Sequence, residues 1–337
     1  MRFLVWGAGA IGGTMGAYLA RAGHDVTLVD NVAEHVQAIN RNGLCVTGPI
    51  DDFTVRVPAV IPEGLDGVWD TVMLSTKAHH TGQATRTLAS HLSENGSVIS
   101  VQNGLNEMEI ASIVGAARTV GAFVNFGADY LEPGVIHFGG HGAVVVGELD
   151  GRNSARVNAI RNAWLAFDTR AAVTPNIWGY LWGKEAYGAM LFATALTNES
   201  IADALAMPEY RSVYIALARE ILAVAAARGV MPEAFDGFDP NAYGPDAPSE
   251  AANQSLDALV AHNRRSAKTH SGIWRDLAIR RRPTEVEAQL GIVVTLGRDA
   301  GVPTPLTARV VQLIHDIEQG RRVQSIQTLA ALIPHLF

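Results

Sequence analysis

The stretch MRFLVWGAGAIGG, residues 1–13, decides the fold class, because an apolar run passes directly into a glycine-rich turn. A helical pattern follows and reaches Ala22, and a second apolar run, Val26–Val29, ends on Asp30. Strand, glycine turn, helix, strand and acid in this order are typical of a dinucleotide-binding unit. The sequence therefore predicts an α/β, Rossmann-type domain at the start of the chain.

Each glycine of this turn has a physical role. Gly7 permits the tight turn, Gly9 lets the backbone approach a pyrophosphate, and Gly12 lets the helix and the strand pack closely. The helix that begins at Ala10 and Ile11 supplies free N–H groups and the positive end of its dipole. We expect these five residues to bind the cofactor.

Asp30 indicates which dinucleotide is bound. A carboxylate at the end of the second strand can accept hydrogen bonds from the ribose hydroxyls and would repel a 2′-phosphate. No Arg or Lys lies between Arg21 and Arg41 to offset that repulsion. The prediction is NAD(H), with NADP(H) less favoured. In the alternative interpretation Asp30 is a solvated acid before a helix that starts near Val32.

The composition describes a soluble globular protein. The 337 residues suffice for two domains, and 48% of them are hydrophobic. The net charge of −7 argues against binding to nucleic acid. Cys45 is the only cysteine, which excludes an intramolecular disulfide and favours a reducing compartment. Without a signal-peptide pattern or a long apolar run, we expect a cytoplasmic protein with no membrane contact and no metal site.

The pattern of the sequence changes along the chain. Strand-like runs alternate with helical patterns up to Thr119, and three short β-rich runs then suggest antiparallel additions to a sheet edge. Helical patterns follow, among them 181–197, 214–227 and 283–300. The predicted domains are a dinucleotide-binding domain of residues 1–174 and a mostly α-helical domain of residues 175–337, which would bind substrate and form a homodimer.

Lys184 lies inside the apolar segment 181–197, near the start of the helical domain. Since a buried lysine is costly, we expect it at a cleft and not in the core. Reduction of a ketone builds negative charge on the carbonyl oxygen, and a nearby ammonium group can stabilise or protonate it. The alternative is a lysine at the helix start with only its alkyl chain buried.

Two further polar residues follow strands at the expected ligand-binding edge of the sheet. Asn103 lies in QNGLNE after the fourth strand, and Lys77 in STKAHH occupies the corresponding place after the third. A plain Asn-Gly turn and a solvated lysine are the alternatives. His79 and His80 could form a metal pair, but a surface or capping role is favoured.

The segment 264–282 is basic in an otherwise acidic protein. This excess suggests an anchor for an anionic substrate, although a solvated helix face explains most of it, including residues 280–282. Ser271 and Glu285 lie in or near this stretch, and Glu285 could equally be an acid at a helix start. The basic residues are Arg264, Arg265, Lys268, Arg275, Arg280, Arg281 and Arg282.

Taken together, these motifs resemble the ketopantoate reductase (2-dehydropantoate 2-reductase) family over nearly the whole chain. The resemblance rests on their order and spacing: GAGAIGG, STKA, SVQNG, LWGKEA, HSGIWRD and PTEVE. It implies a Rossmann-type domain paired with a helical domain and reduction of a 2-oxo acid at the cleft between them. It also implies Lys184 as the general acid, Asn103 as a residue that positions cofactor and substrate, and Glu285 as a partner of a substrate hydroxyl or of Lys184.

The resemblance also assigns a substrate pocket. Ser271 would bind the substrate carboxylate, with Gly272 as the alternative, and Trp274 belongs to the same motif. Family members usually carry asparagines one and two turns after the lysine, where this chain has Gly188 and Phe192. They also commonly use NADPH. These departures favour a larger or more apolar carboxylate substrate and oxidation by NAD⁺.

The leading hypothesis is therefore an NAD-dependent oxidoreductase that interconverts a hydroxyl and a carbonyl on a small carboxylate-bearing molecule, a 2-oxo/2-hydroxy or 3-hydroxy acid. The alternatives are an authentic 2-dehydropantoate 2-reductase and a dinucleotide-binding sensor without turnover. Retention of Lys184 and Glu285 makes the sensor the least favoured of the three.

Overall fold

The computed structural model describes residues 1–265 and 269–336. The chain forms two compact units, Met1–Ile177 and Trp178–Phe337, and each is described by itself. Lys268 of the basic segment lies outside the described residues.

The first unit is built on an eight-stranded sheet of order β12-β11-β8-β7-β6-β1-β2-β5, and a second sheet has the order β4-β3-β10-β9. The strands are β1 Arg2–Trp6, β2 Asp25–Val29, β3 Leu44–Thr47, β4 Phe53–Val55, β5 Ala59–Val60, β6 Trp69–Leu74, β7 Leu92–Ser100, β8 Thr119–Val124, β9 Gly127–Glu132, β10 Val135–Gly140, β11 Val144–Glu148 and β12 Ala172–Val173. The helices of this unit are α1 Ala10–Arg21, α2 Ala33–Asn42, α3 Thr81–Ala89, α4 Glu107–Val114 and α5 Ala155–Trp164.

The central strands are apolar throughout because both faces of the sheet are covered. In β1, the side chains of Phe3, Leu4 and Val5 are all fully buried, although alternate residues point to opposite faces. β1 pairs in parallel with both β2 and β6. The carboxyl ends of β1, β2, β6 and β7 therefore lie at one edge, which is where ligands bind in open α/β sheets.

The prediction of antiparallel additions after Thr119 is only partly right. β8 runs parallel to β7, with Ile99 opposite Val120, because helix α4 returns the chain to the same direction. Only β11 is antiparallel to β8. β10 leaves this sheet altogether and pairs with β9 and β3.

The second unit is helical. Its helices are α6 Ile177–Thr194, α7 Ile201–Ala206, α8 Arg211–Ala227, α9 Ser249–Arg265, α10 Gly272–Arg275, α11 Ile292–Ala300, α12 Pro305–Glu318 and α13 Ile326–Ala330. The helix predicted over 283–300 begins later, because the Thr284 hydroxyl accepts the N–H of Val286 and forms a turn there. Residues 287–291 are π-helical and lead into α11. No helix among the described residues is long and apolar enough to cross a membrane.

Candidate active site

The glycine turn after β1 has the geometry that a bound pyrophosphate requires. Gly7 has a φ of +102°, and a Cβ there would lie 2.9 Å from the backbone of Ser75. At Gly12 a Cβ would overlap the Ser75 hydroxyl and the Gly7 carbonyl oxygen, since the helix packs directly on the turn. At Gly9, by contrast, a Cβ would meet no described atom within 4 Å. The turn therefore has no room for a side chain at Gly7 and Gly12, where it packs against the protein. It has free space at Gly9, where a ligand would lie.

The N-terminus of α1 continues this surface. Gly9 precedes the helix, and no side chain among the described residues caps it. The first intrahelical bond runs from the Gly13 N–H to the Gly9 carbonyl at 2.8 Å, so the amides of Ala10, Ile11 and Gly12 precede the helical ladder. A helix start of this kind attracts anions through its N–H groups and its dipole. The residues present therefore fit a dinucleotide.

The carboxylate of Asp30 connects the end of β2 to the glycine turn. Its Oδ2 accepts the N–H of Ala8 at 2.9 Å, and its Oδ1 accepts the N–H of Val32 at 3.0 Å. The carboxylate is half-buried. Because an ionised carboxylate has about four acceptor positions, two backbone bonds leave capacity for ribose hydroxyls. Asp30 can therefore bind the backbone before α2, as in the alternative interpretation, and still bind a cofactor.

A hydrogen-bonded network joins the turns after β6 and β7. The side chain of Gln102 is buried, and its Nε2 donates to the Thr76 carbonyl and to the Thr81 hydroxyl, both at 2.9 Å. This holds the half-buried Lys77 and the exposed Asn103 on adjoining turns at the carboxyl edge. Gln102 was not predicted as a site residue, although a polar residue at the end of an apolar strand is a usable signal.

In the second unit, Lys184 lies on α6 and is half-buried. The neighbouring Trp182 on the same helix is fully buried. One turn after the lysine, a Cβ at Gly188 would meet nothing within 4 Å among the described atoms. Phe192, another turn along, is fully buried. Lys184 and Gly188 therefore share a helix face with open space at the glycine, whereas Phe192 packs inside the protein.

An aromatic cluster packs against this part of α6. Tyr187 lies between Lys184 and Gly188 in sequence, and its ring centroid is 6.0 Å from that of Phe238. Phe238 in turn stacks on Tyr243 at 5.4 Å. The Tyr187 hydroxyl accepts a 3.0 Å hydrogen bond from Asn263. These contacts hold the third turn of α6 in a fixed, apolar environment.

Ser271 and Trp274 lie in another cluster of the second unit. Ser271 is buried, and its hydroxyl accepts the N–H of Trp274 at 3.1 Å, which caps α10. The Trp274 indole donates to the Asn198 side chain at 3.3 Å and lies against the His270 ring at 4.1 Å. Ser271 thus precedes α10 and Gly272 is its first residue.

The half-buried Glu285 directly follows Thr284, whose backbone and side chain are both hydrogen-bonded to Glu318. Glu318 Oε1 accepts both the backbone N–H and the hydroxyl of Thr284, at 2.7 and 2.8 Å. The other oxygen of Glu318 binds His315 at 2.8 Å, and Glu287 binds the opposite side of that ring. Burial disfavours the imidazolium, but the hydrogen bonds to these two carboxylates outweigh it and raise the pKa of His315.

The basic segment is partly neutralised by one buried acid. Arg280 and Arg282 both donate to Oδ1 of Asp276, at 3.1 and 2.9 Å, and Asp276 is only 3% exposed.

The His79 and His80 rings lie 4.1 Å apart. In the described part of the chain, no three His, Cys, Asp or Glu residues are grouped as a metal site would need.

Comparison with known proteins identifies the class. A model described as ketopantoate reductase PanE/ApbA matches residues 3–151, and the model of its C-terminal domain matches residues 176–318. The chain therefore belongs to the ketopantoate reductase family. This confirms the family predicted from the motifs and makes the protein an NAD(P)-dependent oxidoreductase that acts on CH–OH groups.

Curated relatives share moderate identity over nearly the full chain. The 2-dehydropantoate 2-reductase of Streptococcus pyogenes serotype M6 is 25% identical over 96% of this chain and 100% of that protein. The enzyme of the same name from Halobacterium salinarum is 28% identical over 93% and 98%. The one from Pyrococcus abyssi is 34% identical over 187 residues, which span 55% of this chain and 60% of that protein.

Solved structures confirm the predicted fold class. A PanE/ApbA family ketopantoate reductase from Ralstonia eutropha JMP134 has a TM-score of 0.79 and 25% identity, over 95% of this chain and 99% of that chain. D-mandelate dehydrogenase, solved with NADH and anilino(oxo)acetate, has a TM-score of 0.82 and 21% identity over the same shares.

Proposed function

We propose that this protein is an NAD-dependent oxidoreductase that interconverts a hydroxyl and a carbonyl on a carboxylate-bearing substrate. The observation that carries the proposal is the glycine turn, open at Gly9 and bound through Ala8 to the carboxylate of Asp30. Family membership supplies the reaction class.

The residues that would hold the cofactor are Gly7, Gly9, Ala10, Ile11 and Gly12 around the pyrophosphate. Asp30 would bind the ribose, and Lys77 and Asn103 would lie along the carboxyl edge of the sheet. When bound, the nicotinamide supplies or accepts the hydride. Asp30 favours NAD(H), because its carboxylate repels a 2′-phosphate.

Lys184 is the proposed proton donor. As an ammonium group it would donate its proton to the carbonyl oxygen as the carbonyl carbon is reduced, and in the reverse direction its neutral amine would take the proton of the hydroxyl. Glu285 would orient Lys184 or bind a substrate hydroxyl, and Ser271 would bind the carboxylate. Asn103 would position cofactor and substrate. Such a positioned acid contributes about 10²–10⁴-fold to the rate.

The proposed substrate is a 2-oxo or 2-hydroxy acid with a bulky apolar substituent. The open space at Gly188, one turn from Lys184, supports this size, and Trp274 lies in the motif proposed to hold the carboxylate. The fold likeness to D-mandelate dehydrogenase is compatible with it. Phe192 is fully buried, so a contact of Phe192 with substrate would need an equally enclosed site.

The test is a steady-state comparison of NAD⁺ and NADP⁺ with a panel of 2-hydroxy and 3-hydroxy acids. We expect turnover of bulky 2-hydroxy acids with NAD⁺ and at least tenfold lower kcat/KM with NADP⁺, a difference of about 1.4 kcal/mol. Preference for NADP⁺ would refute the cofactor assignment. NADH binding without turnover of any acid would favour a sensor.

A second candidate is an authentic 2-dehydropantoate 2-reductase, because the curated relatives that align over nearly the whole chain carry that name. Turnover of 2-dehydropantoate with a kcat of about 1 s⁻¹ or more would favour it.

We also propose a homodimer. A ketopantoate reductase from Staphylococcus aureus with a TM-score of 0.70 is described as dimeric. Light scattering on the purified protein tests the homodimer.

A further inference from the structure

The imidazole of His35 links two distant parts of the first unit. His35 lies in the first turn of α2 and is 1% exposed. Its Nε2 is 2.9 Å from the carbonyl oxygen of Ala8 in the glycine turn. Its Nδ1 is 2.9 Å from the backbone nitrogen of Gly134, in the turn between β9 and β10. No sequence motif named above includes this histidine.

The two partners determine where the proton of the ring lies. The Gly134 N–H can only donate, so Nδ1 must be unprotonated, and the Ala8 carbonyl can only accept, so Nε2 must carry the hydrogen. The Tyr130 ring packs edge-on at 5.1 Å and closes one side of the imidazole. His35 is thus held as the neutral Nε2–H tautomer.

Both polar groups of Ala8 are consequently bound. Its N–H donates to Asp30 Oδ2, and its carbonyl accepts from His35. Asp30 before the start of α2 and His35 after it therefore bind the same alanine. Ala8 is flanked by Gly7 and Gly9, which by themselves allow many backbone conformations. The two hydrogen bonds of Ala8 therefore contribute to fixing the turn, together with those of Gly7 to Val29 and Ser75.

The hydrogen bond from His35 to the Ala8 carbonyl sets the direction of the Gly9 N–H. The Ala8–Gly9 peptide is trans, and in a planar trans peptide the C=O and the N–H point in opposite directions. Because His35 holds the Ala8 carbonyl, the Gly9 N–H points away from the buried imidazole. Gly9 is also the residue at which the turn is open to a ligand.

We propose that His35 is a positioning residue for the cofactor: it orients the Ala8–Gly9 peptide so that the Gly9 N–H is presented to the pyrophosphate. The inference rests on the proposed dinucleotide function. It predicts that NADH affinity depends on the bond from Nε2 to Ala8 and not on the bond from Gly134 to Nδ1.

Two variants separate these bonds. In His35→Gln the side-chain amide nitrogen can reach the position of Nε2 and keep the bond to Ala8, while the acceptor for Gly134 is lost. In His35→Asn the side-chain oxygen can replace Nδ1 and keep the bond from Gly134, while Ala8 loses its donor. Each variant removes one hydrogen bond, so each is the stability control for the other.

The measurement is the Kd of NADH, and of ADP-ribose, by fluorescence or calorimetric titration without substrate. We expect both values to rise about tenfold in H35N and by less than about threefold in H35Q, with similar Tm values for the two variants. Equal losses, or losses that simply follow Tm, would overturn the inference. Failure of the wild-type protein to bind NADH would instead overturn the proposed function.

The wild-type protein offers a readout that does not depend on how the variants fold. Two-bond ¹H–¹⁵N spectra of the histidine rings report the tautomer directly. We expect the pattern of a protonated Nε2 and an unprotonated Nδ1 for His35, and a shift of the Gly9 amide when NADH is added. A ring protonated at Nδ1, or an imidazolium, would contradict the inference.

Discussion

Ala8 donates its backbone N–H to the carboxylate of Asp30 at 2.9 Å, so the turn after β1 and the end of β2 form one bonded surface. A carboxylate in this place is bonded to the glycine turn, and in the proposed function it would also present negative charge to the ribose. Substitution of Asp30 should therefore alter cofactor binding more than it alters the fold.

Asp30→Asn should relax the choice of cofactor. The amide oxygen can still accept one backbone N–H, but the negative charge that repels a 2′-phosphate is gone. We expect the ratio of kcat/KM for NADH over NADPH to fall by about tenfold or more, with little change in Tm. An unchanged ratio would show that Asp30 has only its local backbone role.

Gly9→Ala and Gly12→Ala form a matched pair. A methyl group at Gly12 overlaps Ser75 and Gly7, so the substitution should cost about 1–3 kcal/mol of the free energy of unfolding. A methyl group at Gly9 meets no described atom, so stability should stay within about 0.5 kcal/mol while the Kd of NADH rises at least about tenfold. Urea unfolding and NADH titration measure both. A stability loss in Gly9→Ala, or an unchanged stability in Gly12→Ala, would contradict the geometry of the turn.

Gly188→Leu should narrow the substrate range. The leucine side chain would occupy the open space one turn after Lys184. We expect kcat/KM for a 2-hydroxy acid with a phenyl substituent to fall by about tenfold or more, and that for lactate by less than about threefold. Gly188→Ala is the control. It should raise the free energy of unfolding by about 0.5–1 kcal/mol, because glycine disfavours a helix interior. Equal losses for both acids would remove the specificity role.

The ion pairs of His315 should stabilise the second unit in a pH-dependent way. Its pKa is raised above 6.5 by hydrogen bonds to Glu318 and Glu287. The stabilisation is therefore fully present below about pH 6.5 and is lost as the pH rises through the raised pKa. The Tm advantage of the wild type over His315→Gln should shrink as the pH rises above about 6.5. An advantage that grows with pH would contradict this assignment.

The sequence predicted local features well. The β1–α1–β2 unit and its three glycines could be read from residues 1–30, because their periodicity and turn chemistry are contiguous. The second sheet could not be predicted, since the parallel pairing of β10 with β3 joins residues about 90 positions apart. The direction of β8 was likewise predicted wrongly, because nothing local distinguishes this strand from an antiparallel edge strand.

The candidate site shows the same division. Residues in motifs, such as Asp30 and Lys184, were accessible to sequence reasoning. His35 was not, because its proposed role depends on the carbonyl of Ala8, which lies 27 residues earlier in the sequence. The bond from the Thr284 N–H to Glu318, 34 residues away, could not be predicted for the same reason.

Lys184→Ala provides the most direct test of the central claim, that an amine of the helical unit moves the proton while the glycine turn holds the dinucleotide. We expect kcat to fall by about 10²–10⁴-fold while the Kd of NADH, titrated in the same preparation, is unchanged. A variant that keeps kcat within about threefold of the wild type would contradict the claim.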